Sequence, residues 1–100
     1  MIRGTTPTHI FKMPIDSSTI EEIKITYAQH DEVIFAKEKS ACEIKDGEIA
    51  VTLTQEETLL LDCKAMVQIQ LRILLTDGSA AASKIIYRPV GKCLDNEVIA

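Results

Sequence analysis

Tryptophan is missing from this chain and aromatic side chains are scarce: Phe11, Tyr27, Phe35 and Tyr87 are all it has. Surfaces that stack bases or sugars need several exposed rings, so both kinds of site are disfavoured, and the core has to be built from aliphatic side chains. Basic runs are missing as well. Eleven Lys and Arg stand against fifteen Asp and Glu, a net charge of −4, whereas grip on a phosphate backbone comes from clustered cations, which argues against nucleic acid as a partner. No stretch approaches the ~18 consecutive apolar residues of a membrane span, and residues 1–7 have no apolar leader segment. The expectation is a protein made and kept in the cytosol, without a membrane partner.

Cysteine is sparse and badly placed for chemistry. Cys42, Cys63 and Cys93 are an odd number, far apart in sequence, with no C-x-x-C pair. Free, buried, unreactive thiols are expected, because a zinc site joining them to His9 or His30 would need convergence that no local spacing supports. The four glycines, Gly4, Gly47, Gly78 and Gly91, are too scattered to cradle a phosphate. No cofactor or metal is expected.

What the chain has is alternation. Val67, Ile69, Leu71, Ile73 and Leu75 fall on one face of a strand and Gln68, Gln70, Arg72 and Thr76 on the other, with Leu74 as the one break in the period of two. Asp77-Gly78 follows, then a second apolar segment from Ser79 to Val90. Together they read as a hairpin closed by a two-residue turn with positive φ at both positions. Residues 9–15 alternate weakly up to Pro14, which suits an edge strand ending there. Asp16-Ser17-Ser18 is a turn. Ile23, Ile25 and Tyr27 line one face of the next strand, and the polar Gln29-His30-Asp31-Glu32 leads into a strand at Val33–Ala36. A further hairpin closes at Asp46-Gly47, between a strand near Ala41–Ile44 and one at Glu48–Thr54. Thr54-Gln-Glu-Glu57 before Thr58-Leu-Leu-Leu61 is a capping box opening a helix of two turns at most.

The hydrophobic content of 46% supports a self-sufficient core in a single domain, residues 1–100. Short strands at regular intervals, one short helical turn and no repeat predict an all-β fold: an immunoglobulin-like β-sandwich of about seven antiparallel strands. The Cys…Trp…Cys arrangement of antibody domains is absent.

Reactive constellations are thin. His30-Asp31-Glu32 puts an imidazole beside two carboxylates, but three polar residues in a hairpin loop are ordinary turn chemistry. Glu56 and Glu57 are adjacent on a helix, where neighbours do not face each other, and acids belong in a first turn. Ser17, Ser18 and Ser79 have no nucleophile setting. No catalytic residue is assigned, and a non-enzymatic role is expected. Arg72 and Lys84 are placed on the outer face of the main hairpin, where cross-strand charge pairing is the simplest role for them.

The segments Phe11-Lys-Met-Pro14, Ile23-Lys-Ile-Thr-Tyr-Ala-Gln29, Val51-Thr-Leu-Thr-Gln-Glu-Glu-Thr-Leu-Leu-Leu61, Ile69-Gln-Leu-Arg72 and Leu75-Thr-Asp-Gly78 together resemble small prophage-encoded proteins of Gram-positive gut bacteria. More distantly they resemble the N-terminal β-sandwich of phage baseplate upper proteins. The resemblance implies a structural or assembly component of a phage tail or baseplate, an adaptor held in the host cytoplasm or built into the virion, with other phage structural proteins or further copies of itself as partners. The alternative from a different class is a small carbohydrate-binding module, for which Tyr27 and Tyr87 are the candidate aromatics.

The segment after Gly91 carries the partner-contact expectation. Leu94, Val98 and Ile99 are apolar, and Asp95 and Glu97 beside them suit exposure. One reading folds this segment back as a final edge strand; the other has it, or the edge beside it, pair with a neighbouring chain by strand addition.

Overall fold

The computed structural model describes residues 1–99. Its strands are β1 (Thr8–Lys12), β2 (Ile20–Gln29), β3 (Glu32–Glu38), β4 (Cys42–Lys45), β5 (Glu48–Thr52), β6 (Val67–Leu75), β7 (Ala80–Ala82) and β8 (Ile86–Arg88), with one helix, α1 (Gln55–Leu59), between β5 and β6. They form two antiparallel sheets, one ordered β1-β5-β4 and the other β3-β2-β6-β7, with β8 also on β6. Placing β4 and β5 in one sheet with β1, and β2 and β6 in the other, is the strand order of an immunoglobulin sandwich without its first strand, with β3 as one added strand on the edge of the larger sheet. In the described residues before β1, Ile2 instead makes a parallel bridge to Gly91 beyond β8.

The alternation in the sequence decides which faces meet. Ile23, Ile25 and Tyr27 of β2 and Val67, Ile69, Leu71 and Ile73 of β6 turn inward and are buried, facing Phe11 of β1 and Ile49 and Val51 of β5. Leu53 and Leu61, on either side of α1, close one end. The capping box forms as read: the Thr54 hydroxyl accepts the Glu57 amide and the Glu57 carboxylate accepts the Thr54 amide. Of the three leucines that follow, Leu60 is exposed and Leu61 is fully buried.

Four features differ from the sequence reading. The segment Ser79–Val90 is two strands on the edge of β6, so eight strands replace the seven expected. The break falls at Ser83, whose amide and hydroxyl serve Leu71: Ser83 N–H donates to the Leu71 carbonyl at 2.8 Å and Ser83 Oγ accepts the Leu71 amide at 3.0 Å.

The Asp77-Gly78 turn is longer than two residues. The Leu75 amide donates to the Ser79 carbonyl and the Gly78 amide to the Leu75 carbonyl, leaving Thr76, Asp77 and Gly78 in the loop with positive φ at Gly78 alone, +89°. Asp77 keeps an ordinary φ because its carboxylate accepts both the amide and the hydroxyl of Ser79. Those bonds hold its carboxyl below the usual range.

The two-residue turn with both φ positive is instead His30-Asp31, at 53° and 60°, with no glycine. Gln68 makes it tenable: its side-chain oxygen accepts the Asp31 amide at 2.8 Å and its nitrogen donates to the Asp31 carboxylate at 2.7 Å. Finally, Gly91–Ile99 forms no strand, contrary to the reading of a final edge strand.

Since Leu71 is 1% exposed between the sheets and Gln70 beside it faces outward, Leu71→Ala is expected to cost about 2–5 kcal/mol. Gln70→Ala loses one bond to the Ser83 carbonyl and is expected to cost under about 1 kcal/mol. Denaturant titration of both variants checks this; equal losses would shift the register of β6 by one residue.

Candidate interaction surface

Two polar connections tie the sandwich together and must be separated from any binding site. At one cross-section His9, Val51 and Cys42 stand in register across the smaller sheet, above Ile69, Tyr27 and Phe35 in the larger. Tyr27 is fully buried and stacked on Phe35 with ring centroids 4.7 Å apart. Its hydroxyl lies 2.7 Å from His9 Nδ1. Burial first, then the negative charge of Glu57, push the phenol far above its usual range, so it is the donor. Burial, the Met1 amine and Arg88 lower the imidazole, so neutral His9 accepts. A sheet-to-sheet hydrogen bond results.

The second connection runs from β3 to the helix. Lys37 points inward and its ammonium donates to both Glu57 oxygens, at 2.7 and 2.9 Å. Burial alone would raise the Glu57 carboxyl, but the bonds from Lys37 and Thr54 outweigh it and hold it below the usual range. Thus Glu57 is a helix cap and an ion-pair partner, not one of two paired carboxylates.

Other buried polar groups are matched in the same way. Gln29, 4% exposed, clamps the turn before β6 by donating to the Asp62 and Ala65 carbonyls and accepting the Asp62 amide. The Thr58 hydroxyl joins α1 to the Gly4-Thr5 backbone. None of these pairings shows in the sequence, because each joins residues more than fifteen positions apart.

The residues weighed for chemistry are dispersed. His30, Asp31 and Glu32 are exposed and make the β2–β3 turn. Ser17 donates to Asp46 and Ser79 to Asp77. The cysteines are free and half-buried, not buried; burial raises the Cys42 thiol, with Lys37 opposing. Among the described residues no three His, Cys, Asp or Glu side chains converge as metal donors. No helix is long and apolar enough to cross a membrane. Tyr27, one of the two aromatics considered for glycan contact, is inside the core, which leaves Tyr87 at 52% exposure without a second ring.

Sheet edges, the natural places for strand addition, are each obstructed. Pro7 and Pro14 bracket β1. The bulge opposite Tyr27 and Ala28 distorts β3, which also turns the charged Lys37 inward. On the remaining edges β4 has four residues, two of them charged, and β7 and β8 are interrupted at Ser83. Each is a known means of blunting an edge.

The C-terminal segment is different. Polar bonds pin it to the body: Gln55 exchanges two hydrogen bonds with the Ile99 backbone, at 2.8 and 3.0 Å, and Arg3 donates to the Asn96 side chain at 2.9 Å while also holding the Leu59 carbonyl. Its apolar side chains face solvent, Leu94 at 96%, Ile99 at 81% and Val98 at 45% exposure, with exposed Leu60 on α1. These three residues, singled out in the sequence for partner contact, lie on one exposed segment anchored by its polar atoms.

No protein-family model matches the chain, and no curated protein does. Among solved structures, the extracellular domain of mouse leukocyte-associated immunoglobulin-like receptor 1, captured as a strand-swapped dimer, matches 100% of this chain and 85% of its own with a TM-score of 0.52 and 11% identity. At that identity the likeness concerns fold alone. Together with the strand order it defines the class: the chain is an all-β, immunoglobulin-like sandwich.

The His9–Tyr27 bond gives a pH dependence. The folded-state pKa of His9 lies below its unfolded value near 6.5, so the stability it contributes is fully present above about pH 6.5 and is lost as pH falls through the folded value. Melting temperatures between pH 7.5 and 5.5 are expected to fall more steeply for the wild type than for His9→Gln, which keeps a neutral side chain. His30 is common to both, so the difference belongs to His9.

Proposed function

We propose that this protein is a non-enzymatic adaptor that joins other proteins through its C-terminal segment, as a structural component of a phage particle of the tail or baseplate kind. The observation that carries the adaptor reading is the inverted tail: polar atoms bound inward, Leu94, Val98 and Ile99 outward. A segment serving only its own fold would bury those side chains and leave the polar atoms to water. Further support comes from the obstructed edges, which leave side-chain docking as the more accessible mode of association. That the mouse receptor domain was captured as a strand-swapped dimer is consistent with an architecture that tolerates an exchanged segment. The phage context rests on the sequence resemblance.

Leu94→Asp combined with Ile99→Asp is expected to leave the melting temperature within a few degrees of wild type, since both positions are exposed. It is expected to abolish incorporation into particles purified from an induced lysogen, read by mass spectrometry. Particles that lack the wild-type protein, or contain the variant at the same level, would overturn the proposal.

A further inference from the structure

The outer face of the larger sheet offers a surface that matches the tail. Lys24 and Arg72 stand directly opposite each other on β2 and β6, both exposed, and like charges in that position are destabilising. Among the described residues neither has an ion-pair partner; the one ion pair is Lys37–Glu57. Glu38 faces Lys24 from β3 and Glu22 lies on the same shallow depression of about 280 Å³, balancing the charge without closing a pair. The other cross-strand neighbour of Arg72 is Ala82, so its guanidinium is left without an acceptor.

Four residues back along β6, about 13 Å at the usual rise, exposed apolar side chains appear among the polar ones. Gln68 stands between Tyr87 and Ala28, and Ala28 is opposite Val33. A second depression of about 190 Å³ opens there beside Val33 and Ile85, with Thr26, Asp31, Gln68 and Gln70 as its polar wall. Val33, Ile85 and Tyr87 are 61%, 46% and 52% exposed.

The tail carries the complementary series at the same spacing. In an extended segment alternate residues share a side, which groups Asp95, Glu97 and Ile99: two carboxylates, then an apolar side chain four positions from the first. With Asp95 against Lys24 and Arg72, Ile99 falls over the Val33–Tyr87 end.

We propose that the C-terminal segment of one copy docks, extended, along the outer face of β6 in a second copy, with Asp95 and Glu97 held by Lys24 and Arg72, Ile99 covering the exposed Val33, Ile85 and Tyr87, and Leu94 and Val98 left on the outer side for other proteins. This rests on the reading of the tail as the contact surface and names its partner. Donor and acceptor are different surfaces of one chain, so association is head-to-tail and builds a ring where the rotation closes, a filament where it does not. Docking releases the Gln55–Ile99 bonds and the turn bond from the Glu97 amide to Asp95. These bonds are exposed, and water replaces them at small net cost.

Sedimentation of the full chain at high concentration and low salt tests this by charge exchange. Lys24→Glu with Arg72→Glu, and separately Asp95→Lys with Glu97→Lys, are each expected to weaken self-association by about tenfold or more. All four positions are exposed, and circular dichroism melts verify that both variants fold. Mixing the two variants restores complementarity in both directions and is expected to recover association. A wild-type chain that stays monomeric, or a mixture that does not recover, overturns the docking. If Leu94→Asp with Ile99→Asp abolishes particle incorporation while Lys24→Glu with Arg72→Glu associates as wild type, the tail remains the contact and the sheet face is not its receptor.

Discussion

The antiparallel pairing of β2 with β6 is the constraint on which the other elements depend, because these strands are central in the larger sheet and carry most of its buried side chains. Ile23, Ile25 and Tyr27 stand in register with Ile73, Leu71 and Ile69, and all six are within 3% of full burial. A period-two pattern cannot slip by one residue without turning that whole set to solvent, so the pairing fixes its own register. It then sets the positions of β3, β7 and β8 at the sides and presents a continuous apolar surface for Phe11, Ile49 and Val51 to cover. The His9–Tyr27 bond and the Lys37–Glu57 pair work within this frame. Each crosses from the larger sheet to another layer and satisfies polar groups that the frame has already taken from water.

Burying both inner faces leaves two surfaces to be explained by something other than folding. The outer face of the smaller sheet is ordinary: Lys12, Glu48 and Lys45 stand side by side in alternating sign, the arrangement that lowers cross-strand repulsion. On the larger sheet Lys24 and Arg72 face each other instead, and the far end exposes Val33, Ile85 and Tyr87. Every edge is blunted against indiscriminate strand addition, and the apolar tail held outward by its polar atoms is the surface that the proposed adaptor role would use.

Much of the architecture is legible in the chain because local chemistry and global packing agree there. The faces of β2, β5 and β6 follow from alternation, and the start of α1 follows from Thr54 and Glu57, whose reciprocal bonds need no more than one turn of backbone. Where the reading failed, a side chain that the turn rules do not count had intervened. Asp77-Gly78 satisfies every local rule for a two-residue turn, yet Ser79 captures the aspartate and lengthens the loop. His30-Asp31 has no glycine to advertise positive φ, and it is Gln68, from another strand, that makes the conformation tenable. Alternation puts Tyr27 on the core face with Ile23 and Ile25, but not the partner of its hydroxyl, which His9 supplies from the other sheet.

The candidate surface divides in the same way. Its apolar tail residues Leu94, Val98 and Ile99 are visible in the sequence, where they suit a final edge strand as well as a partner contact. That they point outward is a tertiary fact, decided by Gln55 and Arg3 taking the backbone and Asn96 as partners. The juxtaposition of Lys24 with Arg72 is likewise settled by register alone. Composition and periodicity determined that this chain is a β-sandwich with an aliphatic core, because burial of alternating apolar side chains depends on the order of residues along each strand. Which polar groups meet, which edges are blocked and which apolar side chains are left uncovered depend on contacts between residues far apart in sequence, and only the folded structure brings those together.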